Sequence, residues 1–409
     1  MTYEKMSKLF YKLSTDSFEE EYLKRITGYG SMNTLLPIRA FRKGRLDREY
    51  FELFYVMTPE LIKLNNEALL NSGKILSLVG KLPTFAAEPY FQRLIINDAQ
   101  SNNEIEGIRS TKKELSHVLQ RLQEPNPKMK RFTGMMKTYM HIEEIGPFRT
   151  LEDFRTLYDH LVSDEISTKD APDGRLFRKD EVEVTDGSRI THVGLQTEAK
   201  IEEALFHLIQ FLQDDTHAEL FRYLIAHYYY EYIHPFYDGN GRTGRLLVGS
   251  YLANYLERYS AVTFSYAINK DKAKYYQALE EVPSPMNKGE LTFYLKSMLE
   301  LLIAGQRNIL EDLSISEAKL VRIQHFLINN SWELRKEEQE ILFYLLVLTV
   351  FGSNEDILVS RLITLSGYSR YKVKQALDKM EEEGIVSLQQ LRPMSYSLTS
   401  DFLYDTLKI

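Results

Sequence analysis

The chain of 409 residues contains no cysteine. Disulfide bonds, thiolate metal sites and cysteine nucleophiles are therefore all excluded. Long hydrophobic runs are also missing, since the longest, Ile341 to Phe351, falls far short of the roughly 18 residues that a membrane-spanning helix needs. The first residues, Met1 to Lys5, carry scattered charges and not the apolar core of a secretory signal. We therefore expect a soluble, cytoplasmic protein.

The sequence also lacks a large excess of positive or negative charge. The 51 Lys and Arg residues nearly balance 58 Asp and Glu residues, which leaves a formal charge of −7. A protein that binds nucleic acid over most of its surface would be more basic, although a local basic patch is compatible with this balance. The length predicts roughly two to four domains. The sequence shows no internal repeat and no low-complexity tract.

Helical periodicity dominates the sequence and predicts a mostly α fold. Residues 1–87 carry short helical patterns, with turn signals at Gly28-Tyr29-Gly30 and Leu36-Pro37, and predict an N-terminal helical region. The apolar spacing from Pro89 to Ile108 predicts an amphipathic helix that ends near Gly107. Further helices are predicted at residues 111–122, 128–143, 150–163, 197–213 and 216–233.

One segment has a different pattern. Residues Val182 to Val193 alternate apolar and polar side chains around Asp186-Gly187. This pattern predicts a β-hairpin, because glycine accepts the positive φ of a tight turn. An isolated hairpin is only marginally stable in water, so we expect this one to pack on the helical body.

The C-terminal part predicts a connecting helix at residues 306–335 and a separate small domain at 336–409. Within that domain, helices are expected at Ile341 to Phe351, Val359 to Ser366 and Arg370 to Glu383. Two strands follow between Ile385 and Leu398, with a turn at Arg392-Pro393. Three helices followed by a two-stranded wing predict a winged-helix domain.

The segment from His234 to Arg245 carries the chemistry. Its glycines allow backbone N–H groups to approach an anion, and the helix that resumes there points its positive end at the same place. Arg242 and Arg245 add planar donors that suit phosphate oxygens. Asp238 is an oxygen ligand of the kind that Mg²⁺ uses beside phosphates, and His234 can accept a proton near neutral pH. The segment therefore predicts transfer of a phosphate-containing group to a hydroxyl.

Two other nucleotide-binding patterns are rejected. Gly239, Gly241 and Gly244 satisfy the G-x-G-x-x-G dinucleotide fingerprint, but that fingerprint requires a hydrophobic strand directly before it. Residues 224–233 look helical instead. The chain also contains no G-x-x-x-x-G-K-[ST] pattern, which excludes a P-loop enzyme.

The twelve residues match the HPFxDGNGRxxR motif of the Fic family at every fixed position, and the sequence resembles this family over roughly residues 88–305. The hairpin at Asp186-Gly187 lies upstream, where the family has its flap, and Tyr275 to Leu279 is similar to a recurrent Fic helix. The resemblance implies a Fic-type helical bundle with a β-hairpin flap. It also implies transfer of AMP from ATP, with Mg²⁺, to a hydroxyl of a target protein or of the enzyme itself.

The resemblance also implies roles for single residues. His234 would deprotonate the acceptor hydroxyl, Asp238 would hold Mg²⁺, and Phe236 would anchor the loop. The target would dock on the flap residues Asp186, Gly187, Ser188, Arg189 and Ile190. ATP would be bound by Asp238, Gly239, Asn240, Gly241, Arg242, Thr243, Gly244, Arg245, Tyr275, Tyr276 and Asn287. The related Doc kinases have Lys where this chain keeps Gly241-Arg242, which favours nucleotidyl transfer over phosphorylation.

Glu106-Gly107 at the end of an upstream helix resembles the inhibitory helix of many Fic proteins, with the pattern [S/T]xxxE[G/N]. Asn102 stands here in the first position, where the pattern has Ser or Thr. The resemblance implies that Glu106 pairs with Arg245, blocks the γ-phosphate site and inhibits the enzyme. From the residues alone, Glu106 would be a solvated helix residue.

Two histidines outside the motif are expected to be structural, His192 at the surface and His227 in the core. A second class of function is a DNA-binding regulator, because Arg370, Lys372 and Lys374 lie early on the third C-terminal helix, where a recognition helix contacts DNA. Winged helices also bind proteins. A third alternative keeps the Fic fold but removes AMP or transfers another phosphate-containing group. The target protein, a homodimer and the signal that relieves inhibition stay open.

Overall fold

The computed structural model describes residues 3–122, 131–162, 164–329, 334–352 and 356–407. The described chain is mostly helical with small antiparallel sheets, which confirms the predicted fold class. It divides into two compact units, one formed by residues 1–72 and 97–307 and the other by residues 73–96 and 308–409. Among the described residues, no helix combines the length and the apolar character that crossing a membrane requires. The four-part domain division stays a prediction.

The predicted helices between residues 89 and 233 are present within a few residues of their expected bounds, except that the helix predicted at 128–143 covers only Thr133–Met140. Residues 128–130 of that prediction lie outside the described residues. A short 3₁₀ helix follows at Ile142–Glu144. The helices that belong wholly or partly to the first unit are α1 (Met6–Leu9), α2 (Thr15–Ile26), α3 (Pro59–Val79), α4 (Thr84–Ile105), α5 (Lys112–Leu122), α6 (Thr133–Met140), α7 (Leu151–Val162), α8 (Glu198–Gln213), α9 (Glu219–Ile233), α10 (Asn240–Tyr255), α11 (Arg258–Ala261), α12 (Phe264–Lys270), α13 (Lys272–Glu281) and α14 (Thr292–Asn329).

Helices α9 and α10 lie at the centre of the first unit. Almost every residue of α9 is buried, and this burial includes the tyrosine run Tyr228 to Tyr230. Helix α10 is buried along most of its length as well. A helix that is buried all round fixes its two ends firmly, because every face packs against a neighbour. The loop that joins α9 to α10 is therefore held between two rigid elements.

The N-terminal region is not purely helical, so this part of the sequence prediction is wrong. Strands β1 (Ser31–Arg42) and β2 (Arg45–Val56) form a long antiparallel hairpin. The buried positions Leu36, Ile38 and Ala40 do alternate as a strand requires. The alternation is hidden in the sequence because the apolar Leu35, which is 77% exposed, directly precedes Leu36 and because Pro37 resembles a turn signal.

The predicted flap hairpin is present. Strands β3 (Glu183–Thr185) and β4 (Ile190–Val193) pair antiparallel. Asp186 Oδ1 closes the turn by accepting hydrogen bonds from the backbone N–H groups of Ser188 and Arg189, at 3.0 Å each. The hairpin packs on the helical body, as expected, since the His192 ring nitrogen Nε2 lies 2.8 Å from the carbonyl oxygen of Tyr232 on α9.

The second unit ends in a small helical and antiparallel module. Its helices are α15 (Lys336–Phe351), α16 (Val359–Ser366), α17 (Arg370–Glu382) and α18 (Ser400–Leu407), and its strands are β5 (Ile357–Leu358), β6 (Val386–Leu391) and β7 (Met394–Leu398). The sheet has the order β5-β7-β6. The three predicted helices and two predicted strands are present, with β5 and α18 added. Membership in the winged-helix class stays a prediction.

Candidate active site

The loop between α9 and α10 is closed by its own residues. His234 ends α9 in a left-handed conformation (φ 51°), and Gly239 precedes α10 in another (φ 81°). The backbone N–H of Phe236 donates to Asn240 Oδ1 (2.9 Å), and Asn240 Nδ2 donates to the carbonyl oxygen of Phe236 (2.7 Å). Gly239, the N-cap residue of α10, has no side chain with which to cap the helix, so the backbone N–H groups of the first turn can bind an anion.

Aromatic packing anchors this loop in the core. Phe236 is fully buried, and its ring stacks on that of Tyr158 with a centroid distance of 3.6 Å. The hydroxyl of Thr243 donates to the carbonyl oxygen of Gly239 at 2.9 Å, which fixes the start of α10. Asn240 and Thr243 thus hold the loop through their side chains.

Arg178 also holds the loop, a role that no sequence pattern indicates. Its guanidinium is fully buried and donates through Nε to the carbonyl oxygen of His234 at 2.8 Å. The backbone N–H of Arg178 donates to the carbonyl oxygen of Pro235 at 3.2 Å. Burial lowers the pKa of Arg178 to about 10, so the side chain still carries its charge at neutral pH. This clamp orients the backbone on which the His234 ring stands.

His234 is uncharged at neutral pH. Burial, followed by the neighbouring His192 and Arg178, lowers its pKa to about 3. Its Nδ1 atom lies 3.3 Å from the carbonyl oxygen of Glu231, a contact that fits a proton on Nδ1 and leaves the lone pair on Nε2. His234 is therefore ready to accept a proton.

A cavity of about 610 Å³ opens beside His234. Tyr275, Tyr276 and Arg245 of the predicted ATP-binding set line it, as do Glu106 and the flap residue Asp186. Gly241 also contributes to the wall. The structure thus brings the base, one motif arginine, the expected inhibitory residue and the flap together around one space.

The predicted ion pair between Glu106 and Arg245 is present. Glu106 Oε1 lies 2.6 Å from Arg245 Nη2. Although burial alone would lower the pKa of Arg245, the adjacent carboxylate raises it above its usual value, so the guanidinium stays charged. A Cβ placed on Gly241 would overlap Glu106 Oε1, which shows how closely the carboxylate approaches the first turn of α10. A carboxylate therefore sits at the positive end of this helix.

Asn102 holds the same arginine from a second side. Its Oδ1 atom accepts a hydrogen bond from Arg245 Nε at 2.7 Å, and its side chain is fully buried. Asn102 Nδ2 donates to the hydroxyl of Tyr139 (3.1 Å), which in turn donates to Asp98 (2.9 Å). Asn102 therefore anchors the end of α4 where the family pattern has Ser or Thr.

Comparison with protein-family models matches residues 147–252 to the Fic/DOC family, a stretch that contains the flap, α9, the loop and most of α10. This stretch of the chain is a Fic/DOC family domain. Proteins of this family generally transfer phosphate-containing groups such as AMP to proteins. No curated protein matches the chain.

A solved Fic structure shares the fold of this chain. A Fic family protein from Desulfovibrio desulfuricans G20 is 18% identical, with 85% of this chain and 98% of that chain covered and a TM-score of 0.51. A Fic domain containing signaling protein from Bacteroides thetaiotaomicron is 16% identical over 62% of this chain and 96% of its own, with a TM-score of 0.40. Fic-1 from C. elegans is 18% identical over 63% and 75%, with a TM-score of 0.41.

The two motif arginines of this Fic protein have different surroundings. Arg242 does not line the cavity that contains His234. Its Nη1 atom lies 3.0 Å from Glu165 Oε2, and both side chains are buried. Burial raises the pKa of Glu165, although Arg242 opposes that shift. Arg245 is thus the motif arginine that faces the cavity, whereas Arg242 is occupied by a partner that sequence reasoning missed.

Glu231 is a second residue that sequence reasoning missed. It lines the cavity three residues before His234, and burial raises its pKa to about 8, with Glu106 adding to the shift and Arg245 opposing it. Its carboxyl is therefore largely protonated at neutral pH. His227 is fully buried, as expected, and its Nε2 lies 2.9 Å from the hydroxyl of Tyr275.

His192 is half-buried and not an exposed residue, so the expected surface position is not borne out. It lines the cavity, its ring centroid lies 6.2 Å from that of His234, and burial lowers its pKa to about 4. Asn287 does not line the cavity. Its side chain is buried and donates to the carbonyl oxygens of Val282 (3.3 Å) and Glu290 (2.8 Å), which supports the chain turn after α13.

Most of the other predicted site residues do not line the cavity. Tyr276 donates through its hydroxyl to the carbonyl oxygen of Ile105 (3.3 Å), next to Glu106. Asp238 is exposed on the loop, and the described residues hold no cluster of three or more His, Asp or Glu that would form a metal cage. The predicted residues that do not line the cavity are Gly187, Ser188, Arg189, Ile190, Asp238, Gly239, Asn240, Arg242, Thr243, Gly244 and Asn287.

Proposed function

We propose that this Fic protein transfers AMP from ATP to a hydroxyl side chain of a target protein and that Glu106 inhibits the transfer. The observation that carries the proposal is the arrangement around one cavity. An uncharged His234 lies beside Arg245 and beside the first turn of a helix that no side chain caps. A base, a cation and backbone donors are the groups that phosphoryl-group transfer requires.

The transfer has a simple balance of bonds. The acceptor oxygen attacks the α-phosphorus of ATP, forms a new P–O bond and breaks the bond to the β-phosphate, so that pyrophosphate leaves. The hydroxyl proton moves to Nε2 of His234. The backbone N–H groups at the start of α10 would hold the phosphates, and Arg245 would bind the terminal one.

Asp238 would hold Mg²⁺ in this reaction. A single exposed carboxylate fits this ion, because Mg²⁺ is usually bound by one or two carboxylates together with substrate phosphates and water. The bound ion would neutralise part of the phosphate charge. The loop closure by Asn240 and Phe236 keeps Asp238 at the start of α10.

Glu106 would inhibit by occupying Arg245. The ion pair of 2.6 Å removes the cation that the terminal phosphate needs, and the carboxylate adds negative charge beside the phosphate site. ATP would then bind in a position from which the acceptor hydroxyl cannot reach the α-phosphorus.

The decisive experiment uses ATP labelled at either the α- or the γ-phosphate. Wild-type protein, Glu106→Gly and the double variant Glu106→Gly/His234→Ala are incubated with Mg²⁺ and cell lysate, and labelled proteins, including the enzyme itself, are identified. We expect Glu106→Gly to transfer only the α label and the double variant to transfer none. Transfer of the γ label would indicate phosphorylation. Release of AMP from a modified protein without any labelling would indicate that the enzyme removes AMP.

DNA binding by the second unit is the weaker alternative. The basic residues of α17 are mostly paired, since Lys372 lies 3.5 Å from Glu337, Lys379 lies 3.1 Å from Glu338, and Lys374 contacts Asp378. These pairs reduce the positive charge that DNA phosphates would meet. Exposed Arg370 and Tyr371 remain on this helix, so we rank a protein partner above DNA for this unit.

A further inference from the structure

A second groove in the first unit has a strongly cationic lining. It has a volume of about 570 Å³ and lies between the tip of the β1–β2 hairpin and the flap. Its lining carries four cationic side chains, Arg42, Lys43, Arg45 and Arg189, and a single carboxylate, Glu280. This excess of positive charge contrasts with the formal charge of −7 for the whole chain.

The tip of the β1–β2 hairpin brings three of these cations together, although their mutual repulsion destabilises the hairpin. Lys43 and Gly44 both have positive φ (51° and 79°), which is the geometry of a tight two-residue turn. Arg42 and Arg45 are consequently direct cross-strand partners. Like charges placed directly opposite each other destabilise a hairpin. Within the described part of the chain, no carboxylate forms an ion pair with Arg42, Lys43 or Arg45. The cations therefore serve no evident purpose in folding.

The other wall of the groove is fixed by the flap. Arg189 lies 3.1 Å from Asp186 and 2.8 Å from Glu280, so its charge is already compensated. A Cβ placed on Gly44 would lie 3.8 Å from the Cβ of Ile190, which shows that the hairpin tip and the flap are neighbours. The net charge of the groove thus comes from the three cations of the tip.

The groove adjoins the active site. Thr191 and Glu280 line both the groove and the cavity that contains His234. A polypeptide whose hydroxyl reaches His234 would therefore place residues next to that hydroxyl over the groove. We infer that the groove binds an acidic segment of the target protein, adjacent in sequence to the modified hydroxyl. The assignment of this segment to a target protein rests on the proposed function, whereas the binding of an acidic segment does not.

The lining favours an acidic polypeptide over a nucleic acid. Sites for single-stranded nucleic acid combine cations with aromatic rings on which successive bases stack. Phe41 is the aromatic residue of this lining, and it is partly buried. An extended peptide needs only carboxylates that meet Arg42, Lys43 and Arg45.

The binding test uses the full-length protein and two fluorescent ten-residue peptides with one serine each. One peptide carries four Asp and Glu residues, and the other carries Asn and Gln in their place. The variants are Arg42→Gln/Lys43→Asn/Arg45→Gln, the charge-retaining Arg42→Lys/Arg45→Lys, and the matched control Lys112→Gln/Lys113→Gln/Lys137→Gln, whose three exposed lysines lie outside the groove. Circular dichroism confirms that each variant is folded.

We expect wild type to prefer the acidic peptide and the groove triple variant to bind it about tenfold more weakly, which corresponds to about 1.4 kcal/mol. The lysine control and the charge-retaining variant should bind like wild type, and added salt should weaken binding. Equal affinity of wild type for both peptides, or an unchanged affinity of the groove variant, would overturn the inference. A single-stranded oligonucleotide of equal charge that binds more tightly through the same cations would also overturn it.

A second experiment, which measures labelling of the two peptides, separates this inference from the proposed function. In the Glu106→Gly background, the acidic peptide should receive more α label than the amide peptide, and the groove substitutions should remove that preference. If neither peptide is labelled while the binding preference persists, the peptide assay gives no support to AMP transfer, and the groove assignment stands.

Discussion

Replacing Glu106 with glycine should raise the rate of AMP transfer about 30-fold. The Arg245 side chain is 1% exposed and that of Glu106 is 29% exposed, so the pair lies between the surface and buried classes. Exposed ion pairs contribute up to about 1 kcal/mol, whereas breaking a buried pair costs roughly 3–5 kcal/mol. A value of about 2 kcal/mol follows, and at about 1.4 kcal/mol for each factor of ten it equals about 30-fold.

The assay measures initial rates of self-labelling and of target labelling with α-labelled ATP at equal concentrations of purified protein. Glu104→Gly is the matched control, because Glu104 lies in the last turn of α4, two residues before Glu106, but accepts a hydrogen bond from Asn269 (2.7 Å) and does not contact Arg245. We expect the control to label like wild type. Glu106→Gln should give an intermediate rate, since it keeps the shape of the side chain but loses its charge.

Two results would refute the reasoning. Equal labelling by wild type and Glu106→Gly would mean that the ion pair does not restrain the enzyme. An equal gain in Glu104→Gly would mean that loosening the end of α4, and not freeing Arg245, causes activation. Arg245→Ala should be inactive with or without Glu106, because the proposed reaction needs this cation to bind ATP productively.

Four further predictions concern the candidate site and residues 336–409. His234→Ala in the Glu106→Gly background should lower the transfer rate by about 10² to 10⁴-fold with ATP affinity unchanged in equilibrium dialysis, and retained turnover would contradict the role of a base. Because burial lowers the pKa of His234 to about 3, its ring should remain neutral at pH 5.5, which ¹⁵N chemical shifts assigned with His234→Ala can check. Asn102→Ala should release less activity than Glu106→Gly and should cost about 1–3 kcal/mol of unfolding free energy in denaturant titration, because it removes the acceptor of the buried Arg245 Nε and the donor to the Tyr139 hydroxyl. The last prediction concerns the electrophoretic mobility of duplex DNA mixed with the full-length protein. A mobility shift that occurs only at low salt and is lost in Arg370→Gln would support DNA binding by residues 336–409. A shift that is independent of salt and of Arg370 would contradict it.

The local parts of the fold could be predicted from the sequence. The helices of the first unit, the flap turn and the small C-terminal module depend on spacing and turn chemistry within a few residues. The N-terminal hairpin could not be predicted, because an exposed Leu35 and the internal Pro37 hide its alternation. Its alternation of buried and exposed residues is apparent only in the folded structure, where one face of the hairpin packs against the rest of the first unit.

The sequence by itself determined the loop between α9 and α10. His234, Gly239 and Asn240 set its shape through left-handed backbone and a hydrogen-bonded closure that spans five residues, and no distant part of the chain is needed to recognise it. The tertiary structure decided which groups surround that loop. Glu106 and Arg245 are 139 residues apart and meet because the last turn of α4 contacts α10 through Asn102 and Arg245, and Arg178 reaches the carbonyl of His234 from 56 residues away. Such contacts depend on how helices pack, and no local pattern encodes them.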